Sequence, residues 1–214
     1  MKKLFYLVVS MSVFSITASA QFQAGAQVSY LTGHGKNDNH ASLTGATVFG
    51  SYAIAGNMSI GSVIHVYGPK KSKYVSNGVS YYATDNVTNI SGTYDVMLGT
   101  PGSIVQPYIG IDMGISSSSH KVEYTNNLNK TQKFNLKQTY VMLSPKIGVN
   151  IPLGPSLGLF SQAQYNFSPG DGGTTTVYVK NAKSIAGFTT EPISKYINID
   201  TGVYMLLGNI KKIL

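Results

Sequence analysis

Val105-Gln106-Pro107-Tyr108-Ile109-Gly110-Ile111-Asp112-Met113-Gly114-Ile115-Ser116 is the stretch on which the fold turns. Read as a strand, it sends Val105, Pro107, Ile109, Ile111, Met113 and Ile115 to one side and Gln106, Tyr108, Gly110, Asp112, Gly114 and Ser116 to the other, because successive strand side chains point to opposite faces. The first face is continuously apolar. The second is small, amide-bearing or hydroxylated, with one carboxylate. A strand with lipid on its apolar side and the crowded lumen of a small closed barrel on its polar side has this composition.

Seven further segments repeat the pattern. Upstream, Phe22 to Leu31 places Phe22, Ala24, Ala26, Val28 and Tyr30 on the apolar side. A strand from about Leu43 does so with Ala46, Val48, Tyr52 and Ile54, one from Met58 with Ile60, Ile64 and Val66, and a fourth with Ile90, Tyr94, Val96 and Leu98. Downstream, a sixth strand turns Val141, Leu143, Ile147 and Val149 outward and Gln138, Tyr140, Ser144, Lys146 and Asn150 inward. The seventh sets Leu157, Leu159, Ala163, Tyr165 and Phe167 against Gln162, Gln164 and Asn166, and the eighth sets Ile197, Ile199, Val203, Met205 and Leu207 against Asn198 and Asp200.

Short turns alternate with long connections. Ala55-Gly56-Asn57, Gly99-Thr100-Pro101-Gly102 and Pro152-Leu153-Gly154-Pro155 are the short turns. The long polar connections run over Thr32–Ser42, onward from Gly68-Pro69, from Ser116 to about Leu136, and from Ser168 to about Lys195. Asn77-Gly78 between β-prone residues signals a two-residue hairpin turn, so the second connection is expected to prolong its two strands. The third has β-prone arms around Asn126-Asn127, and the glycines of Ser168-Pro169-Gly170-Asp171-Gly172-Gly173 favour mobility in the fourth. Three short turns at a periplasmic rim and four long loops outside the cell are the layout of an eight-stranded antiparallel up-and-down transmembrane β-barrel.

Composition separates this barrel from a secreted one with a greasy pocket. Of the 214 residues 43% are hydrophobic and only 11% charged, against about a quarter charged in ordinary soluble domains. Within the strands the only charges are Asp95, Asp112, Lys146 and Asp200. None lies at an outward position, where a charge would cost ~2–4 kcal/mol at mid-bilayer. The chain has no cysteine, which excludes disulfides, thiolate metal sites and thiol catalysis.

The N-terminus reads as a secretory signal over residues 1–20, with Lys2 and Lys3, an apolar centre from Leu4 to Ile16, and the small-residue site Ala18-Ser19-Ala20. The apolar run is shorter than the ~20 residues of a spanning helix. Cleavage before Gln21 leaves the barrel over residues 21–214.

Gln106-Pro107-Tyr108-Ile109-Gly110-Ile111-Asp112-Met113-Gly114, the later Ser144-Pro145-Lys146-Ile147-Gly148 and the signal peptide resemble the outer membrane β-barrel domain family of small eight-stranded proteins, those like OmpX, OmpW and the opacity proteins. The resemblance covers the mature chain and implies a bacterial outer-membrane location, with outer-membrane lipids, lipopolysaccharide and the outer-membrane assembly machinery as partners. One departure is the end, Lys211-Lys212-Ile213-Leu214, where such proteins often finish on an aromatic residue that the assembly machinery recognises.

Eight strands enclose a lumen just wide enough to be filled by side chains. Asp95, Asp112, Lys146 and Asp200 are therefore expected as a buried structural ion-pair cluster, since unpaired buried charge is the state to avoid. His65 faces inward and is the only histidine that the sequence places in a strand; no triad partner is evident by spacing, and packing is favoured over catalysis. His34, Asp38 and His40 share the first loop without a recognised metal-ligand spacing, and no metal or cofactor is expected.

The net charge of +8 falls to +6 when Lys2 and Lys3 leave with the signal, and most of the excess is in the loops. Basic loops suit lipopolysaccharide phosphates or another polyanion, whereas nothing indicates a nucleic-acid site. The favoured function is non-enzymatic, a structural or adhesion-like surface protein presenting strand edges and Tyr74, Tyr81, Tyr82, Tyr124 and Tyr178 to an extracellular partner. A porin-like narrow channel or transporter for small or apolar solutes is the alternative. A lipid-modifying enzyme, which needs histidine, serine and carboxylate together at the lipid-facing rim, is the third reading.

Overall fold

The computed structural model describes residues 22–33, 41–55, 57–76, 79–99, 103–125, 131–168, 175–181, 184–190 and 195–207. Residues 1–21, which include the expected signal sequence, lie outside them, as do the first-loop residues His34, Asp38 and His40 and the C-terminal Lys211 to Leu214. Ten strands run through the described residues: β1 (Phe22–Gly33), β2 (Ala41–Ala55), β3 (Met58–Ser76), β4 (Val79–Met97), β5 (Gln106–Thr125), β6 (Thr131–Pro152), β7 (Leu157–Phe167), β8 (Thr175–Asn181), β9 (Ser184–Thr190) and β10 (Lys195–Leu207). Eight of them close an antiparallel barrel in the order β1-β10-β7-β6-β5-β4-β3-β2, while β8 and β9 form a separate two-stranded hairpin.

The alternation that the sequence carries is the alternation that the barrel uses. One cross-strand row on the outside reads Ile64–Ile90–Ile115–Val141, with exposures of 41%, 58%, 48% and 62%. Such exposure of aligned aliphatic residues is the mark of a lipid-facing belt, since soluble monomers rarely carry contiguous apolar patches of that extent. Met113, 61% exposed between Gly92 and Leu143, belongs to the same belt. Met113→Lys is expected to cost ~2–4 kcal/mol in bilayers, read as a shift of the urea midpoint for folding into lipid vesicles; an unshifted midpoint would place that face away from lipid.

Inside, the filling is stratified. Toward the end from which the long hairpins rise, Leu31, Leu43, Tyr67, Val87 and Tyr196 form a fully buried apolar cluster, assembled by the cross-strand pairs Leu31↔Leu43 and Tyr67↔Val87. The sequence reading expects amides and tyrosines in the lumen and misses the aliphatic part of this layer, because Leu31 and Leu43 flank what it takes as a loop. At the short-turn end, aromatic rings lie over glycines: a Cβ on Gly148 would collide with the Tyr108 ring, and one on Gly158 with the Tyr204 ring. Each ring belongs to the glycine's own register partner. Glycine opens the space that the neighbouring aromatic fills.

The second connection prolongs β3 and β4 as expected, paired out to Ser76↔Val79, and the β-prone arms of the third do the same in β5 and β6; β5 runs for 20 residues and β6 for 22, about twice the 9–11 that a bilayer requires. His120 therefore also lies in a strand, correcting the assignment of His65 as the only one. The fourth connection, expected as a mobile loop, contains the β8–β9 hairpin, paired from Thr175↔Thr190 to Asn181↔Ser184. The β-prone run Thr175-Thr176-Val177-Tyr178-Val179 carried that signal in the sequence.

Candidate functional site

Two places concentrate chemistry, one inside the barrel and one on the raised hairpins. In the lumen, register sets a row Asp95–Gly110–Lys146–Gln164 across β4, β5, β6 and β7, with Thr93–Asp112–Ser144 as the next inward row. Lys146 Nζ lies 2.9 Å from Asp95 Oδ1 and 2.9 Å from Asp112 Oδ1 and donates a further hydrogen bond to Thr93 Oγ1. Asp95 and Lys146 are two strands apart and meet over Gly110, where a Cβ would collide with Asp95 Oδ1 and stand 2.7 Å from Lys146 Cε. The glycine is the gap through which the ion pair forms.

The structure thus brings together Lys146, Asp95 and Asp112. It holds Asp200 by amides instead: Gln162 Nε2 and Asn198 Nδ2 each donate to Asp200 Oδ2 at 2.8 Å. The two parts are joined. Tyr108 OH donates to Gln162 Oε1 at 2.8 Å, Asn198 Nδ2 also donates to Gln164 Oε1 at 3.4 Å, and Gln164 Nε2 donates to Asp112 Oδ2 at 2.7 Å. A chain of polar groups therefore crosses the lumen from Tyr108 through Asp200 and Asp112 to Asp95. Sequence reasoning placed both the charges and the amides inward but not the links between them, since linkage depends on which strands become neighbours.

His65 is fully buried. Its Nδ1 lies 2.7 Å from Thr47 Oγ1, which lies 2.6 Å from Ser29 Oγ, and its ring stacks on Tyr67 with centroids 6.0 Å apart. That is a position inside the lumen, away from the lipid-facing rim where the enzymatic reading needs a histidine. Toward the short-turn end a small open recess is lined by residues including Gln23, Gln27, Ser51, Asp95, Lys146 and Asn150. Among the described residues no group of three or more His, Asp or Glu side chains is placed to hold a metal ion.

On the raised arms, Tyr74↔Tyr81↔Tyr124 share one cross-strand row of β3, β4 and β5. Tyr82 stands in the next row, 42% exposed, with Lys71 Nζ 4.5 Å from its ring centroid. Tyr178 is apart from these, in β8 opposite Gly187. The neighbouring Lys133 donates to Glu123 at 2.9 Å and holds that carboxyl below its usual range; as an exposed pair it adds little to stability.

The main-chain edges of this raised sheet are also defined. β6 pairs with β7 only between Leu143↔Phe167 and Pro152↔Gly158, so Thr131–Met142 has no partner strand on that side among the described residues. On the other flank β2 pairs with β3 no higher than Tyr67, which leaves Lys70–Ser76 likewise. The β6–β7 ladder also skips from Leu143↔Phe167 to Lys146↔Gln164. Pro145, which lacks an N–H, lies in that gap, and Ser144 Oγ bridges it on the lumen side by donating to Asn166 Oδ1 at 2.7 Å.

No protein-family model and no curated protein sequence matches the chain. Solved structures do. A major outer membrane protein from Thermus thermophilus is 13% identical, with 89% of this chain and 100% of that one covered and a TM-score of 0.59. The outer membrane protein OprG from Pseudomonas aeruginosa is 9% identical over 89% and 97%, with a TM-score of 0.56. Ail, the attachment invasion locus protein of Yersinia pestis, is 8% identical over 88% and 97%, with a TM-score of 0.50. At these identities the likeness is one of fold. It is the fold of the small bacterial outer-membrane barrels, and the exposed aliphatic rows give it the lipid-facing surface that such a barrel has.

Proposed function

We infer that the chain is a non-enzymatic outer-membrane barrel whose raised four-stranded sheet engages an extracellular protein partner. The observation that carries this reading is the continuation of β3 to β6 as a paired sheet far beyond the apolar belt, ending in two main-chain edges without a partner strand among the described residues. A rigid sheet with open edges suits recognition by strand addition, in which main-chain hydrogen bonds supply affinity and side-chain pockets supply specificity. Lysines on both edge strands, Lys70, Lys71 and Lys73 on β3 and Lys133 and Lys137 on β6, oppose indiscriminate self-pairing. Tyr82 offers the kind of amphipathic anchor that interfaces favour.

The test is a binding screen against a panel of purified extracellular-matrix proteins, with the intact barrel and a variant whose arms are cut back to the membrane belt. A ligand retained by the intact barrel and lost on trimming is expected; equal retention by the trimmed barrel would overturn the reading.

A second reading, passage of small or apolar solutes, draws on the ladder gap at Pro145. Straight transit through the lumen meets the buried layer of Leu31, Leu43, Tyr67, Val87 and Tyr196, so passage would have to be lateral, between β6 and β7. Planar-bilayer recordings are expected to show no unitary conductance steps, and reproducible steps would favour the channel over the surface role.

A further inference from the structure

We propose that the outer face of the raised sheet is a binding surface for the phosphorylated headgroups of lipopolysaccharide in the surrounding leaflet. The proposal rests on the outer-membrane reading and adds a partner at the base of the raised sheet. Its ground is the order of the cross-strand rows on one face. The fully apolar row Ile64–Ile90–Ile115–Val141 is followed by Val66–Thr88–Ser117–Thr139, which is three-quarters hydroxyl. Next come Asn86–Ser119–Lys137, then Lys71–Thr84–Lys121–Asn135, and then Lys73–Tyr82–Glu123–Lys133.

The bulge between Tyr67 and Lys70 shifts β3 by one residue, so that Lys71 and Lys73 fall in line with the outward positions of β4. Without that extra residue, the alternation would assign them to the opposite face.

Lys71, Lys73, Lys121, Lys133 and Lys137 are all exposed, and Glu123, bound to Lys133, is the one acid in these rows. Lys137 stands four residues above the last apolar row and Lys121 six. At ~3.3 Å per residue and a tilt near 40° these are heights of about 10 and 15 Å. Flexible lysine stems cover that range and deliver their ammonium groups as point charges. From those heights the stems reach down to the headgroup layer that borders the ~30 Å hydrocarbon core. On the far flank β7 ends nearer the belt: its last residue, Phe167, pairs with Leu143, two residues on the membrane side of Val141, and with Lys195 of β10.

This face rises directly from the lipid-facing belt, so the molecules bordering it are the leaflet's own headgroups. A soluble polyanion would have to displace them. Edge protection accounts for lysines on β3 and β6, but Lys121 lies on β5, which is paired on both sides.

The mature barrel would be placed in phosphatidylcholine nanodiscs containing either bisphosphorylated Kdo2-lipid A or its dephosphorylated form, and co-retained lipid counted by native mass spectrometry. The wild type is expected to retain the phosphorylated form at least tenfold over the dephosphorylated one. The triple variant Lys71→Gln, Lys121→Gln, Lys137→Gln is expected to lose that preference, while Lys195→Gln keeps it. Equal retention of the two lipids by the wild type overturns the proposal, and this comparison decides the matter even if the triple variant fails to fold. An undiminished preference in a folded triple variant also overturns it, as does displacement of the lipid by a soluble sulfated polysaccharide at equal phosphate and sulfate concentration. A barrel that inserts but shows no lipid preference leaves the partner reading above standing; one that fails to insert at all removes both.

Discussion

Replacing Lys146 with methionine should lower the stability of the folded barrel by about 3–5 kcal/mol, the usual consequence of removing one member of a buried ion pair. Lys146 is the shared cation of two buried carboxylates, Asp95 and Asp112, at 2.9 Å each. Methionine fills the same stem volume and leaves both acids facing each other without a counter-charge, at positions where water is largely excluded. The midpoint of urea unfolding in detergent, followed by the mobility difference between folded and heat-unfolded protein on a gel, reads the effect. Converting Asp95 and Asp112 to asparagine in the same chain should restore most of the loss, because replacing all the charged partners removes the uncompensated charge as well. An unchanged midpoint for the single variant would mean that the cluster contributes nothing to holding the lumen together.

Gly110→Ala is the second change expected to have a large effect, at least the ~1–3 kcal/mol typical of an overpacked interior. On a solvent-facing strand the same change would be mild or favourable. Here the added methyl would occupy the path between Asp95 and Lys146 and collide with a carboxylate oxygen, so the pair must separate or the strands must shift. The effect should be coupled to the two side chains: with Lys146→Ala and Asp95→Ala already present, the alanine should cost less, the remainder coming from the Tyr94 carbonyl oxygen 2.8 Å from the added methyl. A double-mutant cycle measures that coupling. Strict additivity would show that Gly110 is needed for some reason other than the ion pair.

The fold was legible because a transmembrane barrel imposes period two on nearly every strand. Ile109, Met113 and Ile115 could be assigned to lipid, and Tyr108, Asp112 and Ser116 to the lumen, from local sequence alone, and the burial in the structure follows that assignment. The inward charges were legible for the same reason. The linkage between Asp200 and Asp112 was not, because Asn198, Gln164 and Gln162 carry no signal of their pairing until β10 lies beside β7. The β8–β9 hairpin was hidden by the glycines that precede it, whose turn chemistry dominated a short β-prone run.

Alternation of side chains along each strand, a property of two neighbouring peptide units, sorted the residues of this protein onto two faces, and the scarcity of charges within the strands decided which face meets lipid and which fills the interior. Which interior residues touch was decided only by closure, since cross-strand partners depend on register accumulated through every turn and bulge. The extra residue between Tyr67 and Lys70 moves two lysines from one face to the other, and the meeting of Asp95 with Lys146 over Gly110 exists only once β4, β5 and β6 lie side by side. Local stereochemistry sets the direction in which a side chain points, but distance between side chains is a property of the assembled sheet.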